Sequence, residues 1–315
     1  MKILAPLKGF EQIDALISAN PDEVYLSFVD NVWNSKYGDF NEINRMSSFG
    51  YRANFTGQNN ARTAIKKMND AGIKCYLAIN SPSYSDSQIA YLKQVIDSFA
   101  KLGCGFIVGT LSLAAYCVEN NYSCTISTMA GIYNSLSVRS LLDIGIKRII
   151  FPRDISIENM AKIISKYPNI EYEAFLMRNG CRYSDSNCLS FHARKHNSLC
   201  YYLDNSQAQM LINNTVNRFD FFGNHFIYKN AFHKRACGLC SIYRLIESGI
   251  TAVKIVGRAD NPSELVDDIC LVKQFIDLAQ HCSTEQMYLE QMTLPDRIFE
   301  QCLYGLNCYY PCIRF

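Results

Sequence analysis

Short runs of β-branched and aromatic residues alternate along this chain with longer stretches whose apolar residues recur every three or four positions. Residues 2–7 and 23–28 read as strands, with a helix over 10–19 between them. A polar stretch rich in Asn, Ser and Gly follows, and then a helix over 61–71. Further strands are predicted over 74–79, 106–109, 124–127, 148–151, 171–176 and 252–257. Helices are predicted over 86–101, 111–120, 135–144, 156–167, 239–248 and 262–281. Gly72, Gly145 and Gly249 stand where helices should end. Strand–helix alternation implies parallel pairing through helical crossovers. Eight such strands match an α/β fold of the TIM-type (β/α)8 barrel class. A doubly wound open sheet is the alternative, because periodicity does not show closure.

The regular pattern fails once, after the seventh strand. There 64 residues (177–240) pass before the strand–helix rhythm resumes. An insertion after a strand's C-terminal end lies on the face where barrels build active sites. It holds His192, His196, His225 and His233, four of the chain's five histidines. It also holds Cys181, Cys188, Cys200, Cys237 and Cys240, and eight Lys or Arg against three Asp and no Glu. The expected organisation is therefore 1–176 as the first seven βα units, 177–240 as a Cys/His-rich metal-binding insertion, 241–282 as the closing helix–strand–helix, and 283–315 as an irregular tail. In that tail Cys302, Cys308 and Cys312 lie close together. They read as a packed tail of aromatic and sulfur side chains, with a second redox or metal site as the alternative.

Composition narrows the function classes. Apolar residues are 49% of the 315, ample for a large core, and the formal net charge is +2. That balance excludes a strongly basic nucleic-acid binder and an acidic solvating tail. The longest uncharged apolar stretch, 102–118, is broken by Gly103, Gly105, Gly109 and Ser112, so no membrane span is expected. The first residues lack the apolar core of a secretion signal, which makes the cytoplasm the default location. In that setting fourteen cysteines point to metal or redox chemistry for some of them.

Three metal readings of the insertion compete. Cys181, Cys188, Cys200 and one of Cys237 or Cys240 supply four thiolates, which suit zinc or an iron–sulfur cluster. Cys188, His192, His196 and Cys200 are spaced by four and would share one helix face, which suits zinc. A zinc-protease helix around His192 and His196 fails, because no Glu follows the first His. Spacing leaves the first two nearly even.

Motifs along the chain carry a resemblance. Glu173-Ala-Phe175, followed by Cys181-x6-Cys188-Leu-Ser, resembles the signature of the U32 peptidase family, the collagenase-like proteases. YRANFT (51–56), KCYLAIN (74–80), TISTMAGIYNS (125–135), IKRIIFPRDISIENM (146–160) and the segment 238–265 with its KIVGR resemble further family elements in the same order. The resemblance implies a TIM-type barrel. Short members of the family include proteins of O₂-independent ubiquinone hydroxylation that bind a 4Fe–4S cluster. Longer relatives hydroxylate RNA bases, with prephenate the implied donor, and others are known as collagen-degrading proteases. Carried over, the resemblance implies Cys181, Cys188, Cys200 and Cys240 as ligands of a 4Fe–4S cluster, with zinc as the alternative. It implies O₂-independent hydroxylation or a related modification of a small molecule, RNA base or peptide. The rivals are peptidase activity and a non-catalytic electron-transfer or scaffold subunit. A homologous partner subunit is a further expectation, and RNA is permitted but not favoured.

The substrate candidates are polar residues at strand ends. Arg153, Lys254 and Arg258 converge on the expected barrel mouth, where such cations grip a carboxylate or phosphate. Arg52 and Asn54 belong to the YRANFT element, Asn80 closes a strand, and Glu173 sits in the strand before the first cysteine. His192 and His196 have a ring pKa suited to proton transfer, although a solvated helix face explains them as well.

Overall fold

The computed structural model describes residues 1–38, 42–181, 184–186, 188, 235–302 and 307–310. Among them ten strands form: β1 Lys2–Pro6, β2 Glu23–Leu26, β3 Phe28–Val29, β4 Phe55–Thr56, β5 Lys74–Ile79, β6 Gly105–Val108, β7 Cys124–Ile126, β8 Arg148–Ile150, β9 Glu171–Met177 and β10 Ala252–Ile255. Eight close into a parallel barrel in the order β1-β10-β9-β8-β7-β6-β5-β2. Closure is explicit at β1, where Leu4 pairs with Glu23 of β2 and Lys2 with Ala252 of β10. The open-sheet alternative is thereby overturned. β3 and β4 form a separate two-stranded parallel pair.

The helices follow from local chemistry. α1 Ile13–Ala19, α2 Asn31–Tyr37, α3 Gly57–Asp70, α4 Asp86–Ala100, α5 Leu111–Glu119, α6 Ser135–Ile144 and α7 Ile157–Lys166 precede the insertion. α8 Ile242–Glu247, α9 Pro262–His281, α10 Glu285–Gln291 and α11 Asp296–Cys302 follow it. Ser85 and Gln88 form a reciprocal capping box at the start of α4. Asn134 caps α6, and Gly145 ends it in the left-handed conformation at φ 96°. α7 buries Ile157, Met160, Ile163 and Ile164, one helical face laid on the outside of the barrel. Strands covered on both faces need apolar residues at successive positions, as in Phe106-Ile107-Val108 of β6.

Two expectations need correction. The polar stretch after β2 contains a helix, α2, which hangs on one buried residue, Trp33, and on the Asp30 cap. The tail read as irregular contains α10 and α11. The seventh barrel strand is β9, and most of the segment 177–240 that follows it lies outside the described residues. Cys200, His192, His196, His225, His233 and Cys312 lie outside the described residues. Among the described residues, no helix is long and apolar enough to cross a membrane.

Candidate active site

The barrel lumen holds a buried ionic layer near its lower rim. Glu23 and Arg148 open β2 and β8, strands that are not neighbours, so their contact crosses the interior. Arg148 Nη1 donates to Glu23 Oε1 at 2.8 Å, and Nη2 pairs with the second oxygen of the same carboxylate. Arg148 Nε lies 2.7 Å from Glu173 Oε1, and Nη1 also donates to the Tyr76 hydroxyl at 2.8 Å. Burial raises the Glu23 carboxyl, but the Arg148 hydrogen bond and charge outweigh it and hold the pKa below its usual value. Glu173 responds oppositely. It is 1% exposed, burial dominates, and its carboxyl is raised despite Arg148 and Lys254. Its second oxygen, Oε2, is buried with no hydrogen-bond partner among the described residues.

Above this layer the lumen turns cationic. Lys254 of β10 places its ammonium 3.9 Å from the centre of the Tyr25 ring on β2, again across the interior. Register pairs Ala252 with Glu173 and Lys254 with Phe175, so Lys254 and Glu173 share the lumen face of adjacent strands. Among the described residues no ion pair within 4.0 Å joins them, although each feels the other's charge. Burial lowers the Lys254 amine to about 8; Glu173 opposes the shift, while Arg258, Arg148 and Arg153 add to it.

Arg258 reaches the same place because the chain turns back after β10. Gly257 takes φ 115°, a conformation glycine tolerates, and a Cβ there would meet the Asp260 carboxylate at 2.2 Å. The Arg258 guanidinium donates to Asn44 Oδ1 at 2.8 Å and to Asn54 Oδ1 at 3.4 Å. Those amides are held in turn, Asn44 by the Ser27 hydroxyl and Asn54 by the Met46 and Gly50 carbonyls. No carboxylate pairs with Arg258 among the described residues, and burial lowers its pKa to about 10.

On the β9 side of Lys254 the Arg153 cation lies 3.9 Å from the centre of the ring of Phe175, the register partner of Lys254, and is paired with Asp185. Burial disfavours that charge, but Asp185 reverses the effect and raises the pKa. Tyr309 from the tail also bonds Arg153, and its hydroxyl donates to the Arg178 carbonyl. Arg178 and Asn179 take left-handed φ of 64° and 46°, a strained pair at the end of β9. Asn80 accepts from the Arg45 backbone N–H at 3.2 Å and donates to Ser127 Oγ.

The structure therefore brings together Asn54, Arg153, Glu173, Lys254 and Arg258, while Asn80 is held between the Arg45 backbone N–H and Ser127. Arg52 stays outside: it is exposed and lies over the Phe49 ring. Pattern reading missed Glu23, Tyr25, Asn44, Arg45, Arg148 and Tyr309. A charged residue opening an otherwise apolar strand, as at Glu23 and Arg148, is the signal that could have found two of them.

The 4Fe–4S expectation, with zinc as its alternative, is corrected here. Among the described residues no group of three or more His, Cys, Asp or Glu is placed to hold a metal ion. The implied ligands are divided. Cys188 accepts from Arg45 Nη2 at 2.8 Å, and Cys181 lies within electrostatic reach of Arg153. Cys240 instead lines a small cavity with Cys237, Cys302 and Cys308. Cys200 lies outside the described residues.

Comparison with known proteins follows the same lines. The model of peptidase family U32 matches residues 8–307. The tRNA hydroxylation protein P of Helicobacter pylori strain ATCC 700392 / 26695 is 31% identical over 120 residues, 37% of this chain and 28% of that protein. The protein of the same name in strain J99 / ATCC 700824 is 28% identical over 120 residues. Both matches thus span 28% of the relatives' own length. Among solved structures, the U32 peptidase Mk0906 covers 56% of this chain and 69% of its own, with a TM-score of 0.44 and 11% identity. The native KDPGal structure covers 90% of this chain and 97% of its own, with a TM-score of 0.50 and 8% identity, a likeness of fold alone.

Proposed function

This chain belongs to peptidase family U32, and from that premise we propose that it hydrolyses a peptide whose carboxylate is held at the barrel mouth. The observation that carries the reading is the buried pair Lys254 and Arg258, which has no carboxylate partner within ion-pair distance among the described residues. Burying an unpaired cation is costly, so a site that keeps two of them is built for an anion from outside. A carboxylate accepting from Arg258 would supply the missing charge through short, charge-assisted bonds.

Glu173 and Lys254 then divide the proton work. The Glu173 carboxylate, with Oε2 unpaired, takes a proton from the attacking water. Lys254, lowered to about 8, gives its proton to the leaving amine nitrogen. One proton is removed and one delivered, so the peptide bond is replaced by a carboxylic acid and an amine, and the new acid then releases its proton to give a carboxylate. Arg153, stacked on Phe175 and held by Asp185 and Tyr309, forms the wall against which the substrate lies.

The test is cleavage of a mixed peptide library by purified full-length chain, with products identified by mass spectrometry. Expected is cleavage that rises as Glu173 ionises and falls as pH passes about 8 and Lys254 loses its proton. Lys254→Met and Glu173→Gln each reduce it by roughly 10² or more. A library left intact by the wild-type chain sinks the peptidase reading.

A second reading is modification of tRNA, favoured by the two Helicobacter pylori relatives named for tRNA hydroxylation. It expects one modified nucleoside to vanish from total tRNA when the gene is deleted.

A further inference from the structure

A second cluster of reactive side chains lies apart from the barrel mouth. Cys237, Cys240, Cys302 and Cys308 line one small cavity together with Leu239, Leu294 and Asn307. Two chain segments meet there. Cys237 is bridged on one side to Met177 at the end of β9 and on the other to Cys308 of the tail, the latter as a parallel pair. The Cys237 N–H donates to the Asn307 carbonyl at 2.7 Å, and the Tyr309 N–H donates to the Cys237 carbonyl at 2.9 Å. Residues paired in this way lie ~4.8 Å apart and project to the same side. That spacing falls within the ~4.4–6.8 Å between Cα atoms that a disulfide requires. Independently, Asn307 is 1% exposed and lines the same cavity, yet neither its Nδ2 nor its Oδ1 has a hydrogen-bond partner among the described residues. A buried amide donor left open beside thiols is a ready partner for a thiolate or an oxidised sulfur.

The geometry points to a redox modification site: Cys237 and Cys308 are a dithiol that a small-molecule disulfide converts to an intrachain disulfide, fastening the tail to the end of β9. Of the pair, Cys308 is half-buried and Cys237 buried, so Cys308 is assigned the first attack. Its thiolate attacks one sulfur of oxidised glutathione, the glutathione S–S bond breaks, and one glutathione leaves as thiol. Cys237 then gives up its proton and attacks Cys308 Sγ, expelling the second glutathione. Two protein thiols are oxidised by two electrons, and the glutathione disulfide is reduced to two thiols. Burial pushes the Cys237 thiol well up, which assigns it the second step. The consequence reaches the barrel mouth, because the next residue, Tyr309, bonds Arg153 and the Arg178 carbonyl, and Tyr310 donates to the Phe175 carbonyl at 2.7 Å.

Full-length protein is incubated with oxidised glutathione, its remaining thiols are blocked, and its peptides are mapped by mass without reduction. The expected product is a Cys237–Cys308 cross-linked peptide pair lighter by two hydrogens and restored by dithiothreitol. Proteolysis of the tail beyond Cys302 should slow several-fold in the oxidised form. Cys308→Ser abolishes both effects, whereas Cys270→Ser, at an exposed thiol on α9, leaves both intact. The inference is overturned if Cys270 takes up glutathione while Cys237 and Cys308 remain alkylatable, or if Cys237 links to Cys240 or Cys302 instead.

Discussion

The barrel lumen contains two buried ionic layers made from the same kinds of residue, and they solve the cost of burial differently. In the lower one, Arg148 is matched by Glu23, Glu173 and Tyr76, so its charge is answered on several sides. In the upper one, Lys254 and Arg258 meet amides and the Tyr25 ring but no paired carboxylate among the described residues. Glu173 stands between the two, with one oxygen on Arg148 and the other open. A matched buried charge is answered within the fold, whereas an unmatched one is kept at a cost to stability that binding of an anion relieves. The comparison thus separates residues that hold the barrel shut from residues held ready for a ligand.

The largest effect belongs to the matched layer. Arg148→Met leaves two carboxylates buried without their cation, and ~3–5 kcal/mol of stability should be lost in urea unfolding. A loss under 1 kcal/mol would mean the lower layer does not organise the barrel.

The unmatched layer should respond with the opposite sign. The Lys254 amine falls from 10.5 to about 8 on folding, so below pH 8 the folded chain carries a charge it holds poorly. As pH rises from about 8 toward 10.5 the folded state gives up that proton before the unfolded state does, and stability increases. Lys254→Met removes this cost. The variant should match or exceed the wild type in stability at pH 7, and the difference should shrink toward pH 10. Unfolding curves across that range check it, and a destabilised variant at pH 7 would place Lys254 among the matched residues.

The smallest effect belongs to Arg52, which the YRANFT motif nominated and the structure places outside both layers. Arg52→Ala should change stability by less than about 0.5 kcal/mol and leave cleavage unchanged.

Much of the scaffold was legible in the sequence. β5, α6 and α9 have the bounds that periodicity and end signals predict. α2 was not, since a single buried Trp33 produces no period. The short β3 and β4 also escaped, because two residues cannot show alternation. At the site, Arg153 and Arg258 were readable as cations just after strands and Lys254 as one within a strand. Their meaning was not, because it depends on partners such as Glu23, which meets Arg148 from 125 positions away. The metal expectation failed for a related reason. Cysteine spacing along the chain does not report that Cys240 packs with Cys237, Cys302 and Cys308 while Cys188 faces Arg45.

The central claim is that Arg258 waits for a carboxylate, and paired peptides test it most directly. One series carries a free C-terminal carboxylate and its twin a C-terminal amide, each offered to the wild type and to Arg258→Met. The account predicts that the wild type favours the free acid in kcat/KM by roughly tenfold or more, the worth of one charge-assisted contact, and that Arg258→Met loses this preference. Equal cleavage of acid and amide by the wild type, or a preference that survives in Arg258→Met, would contradict it.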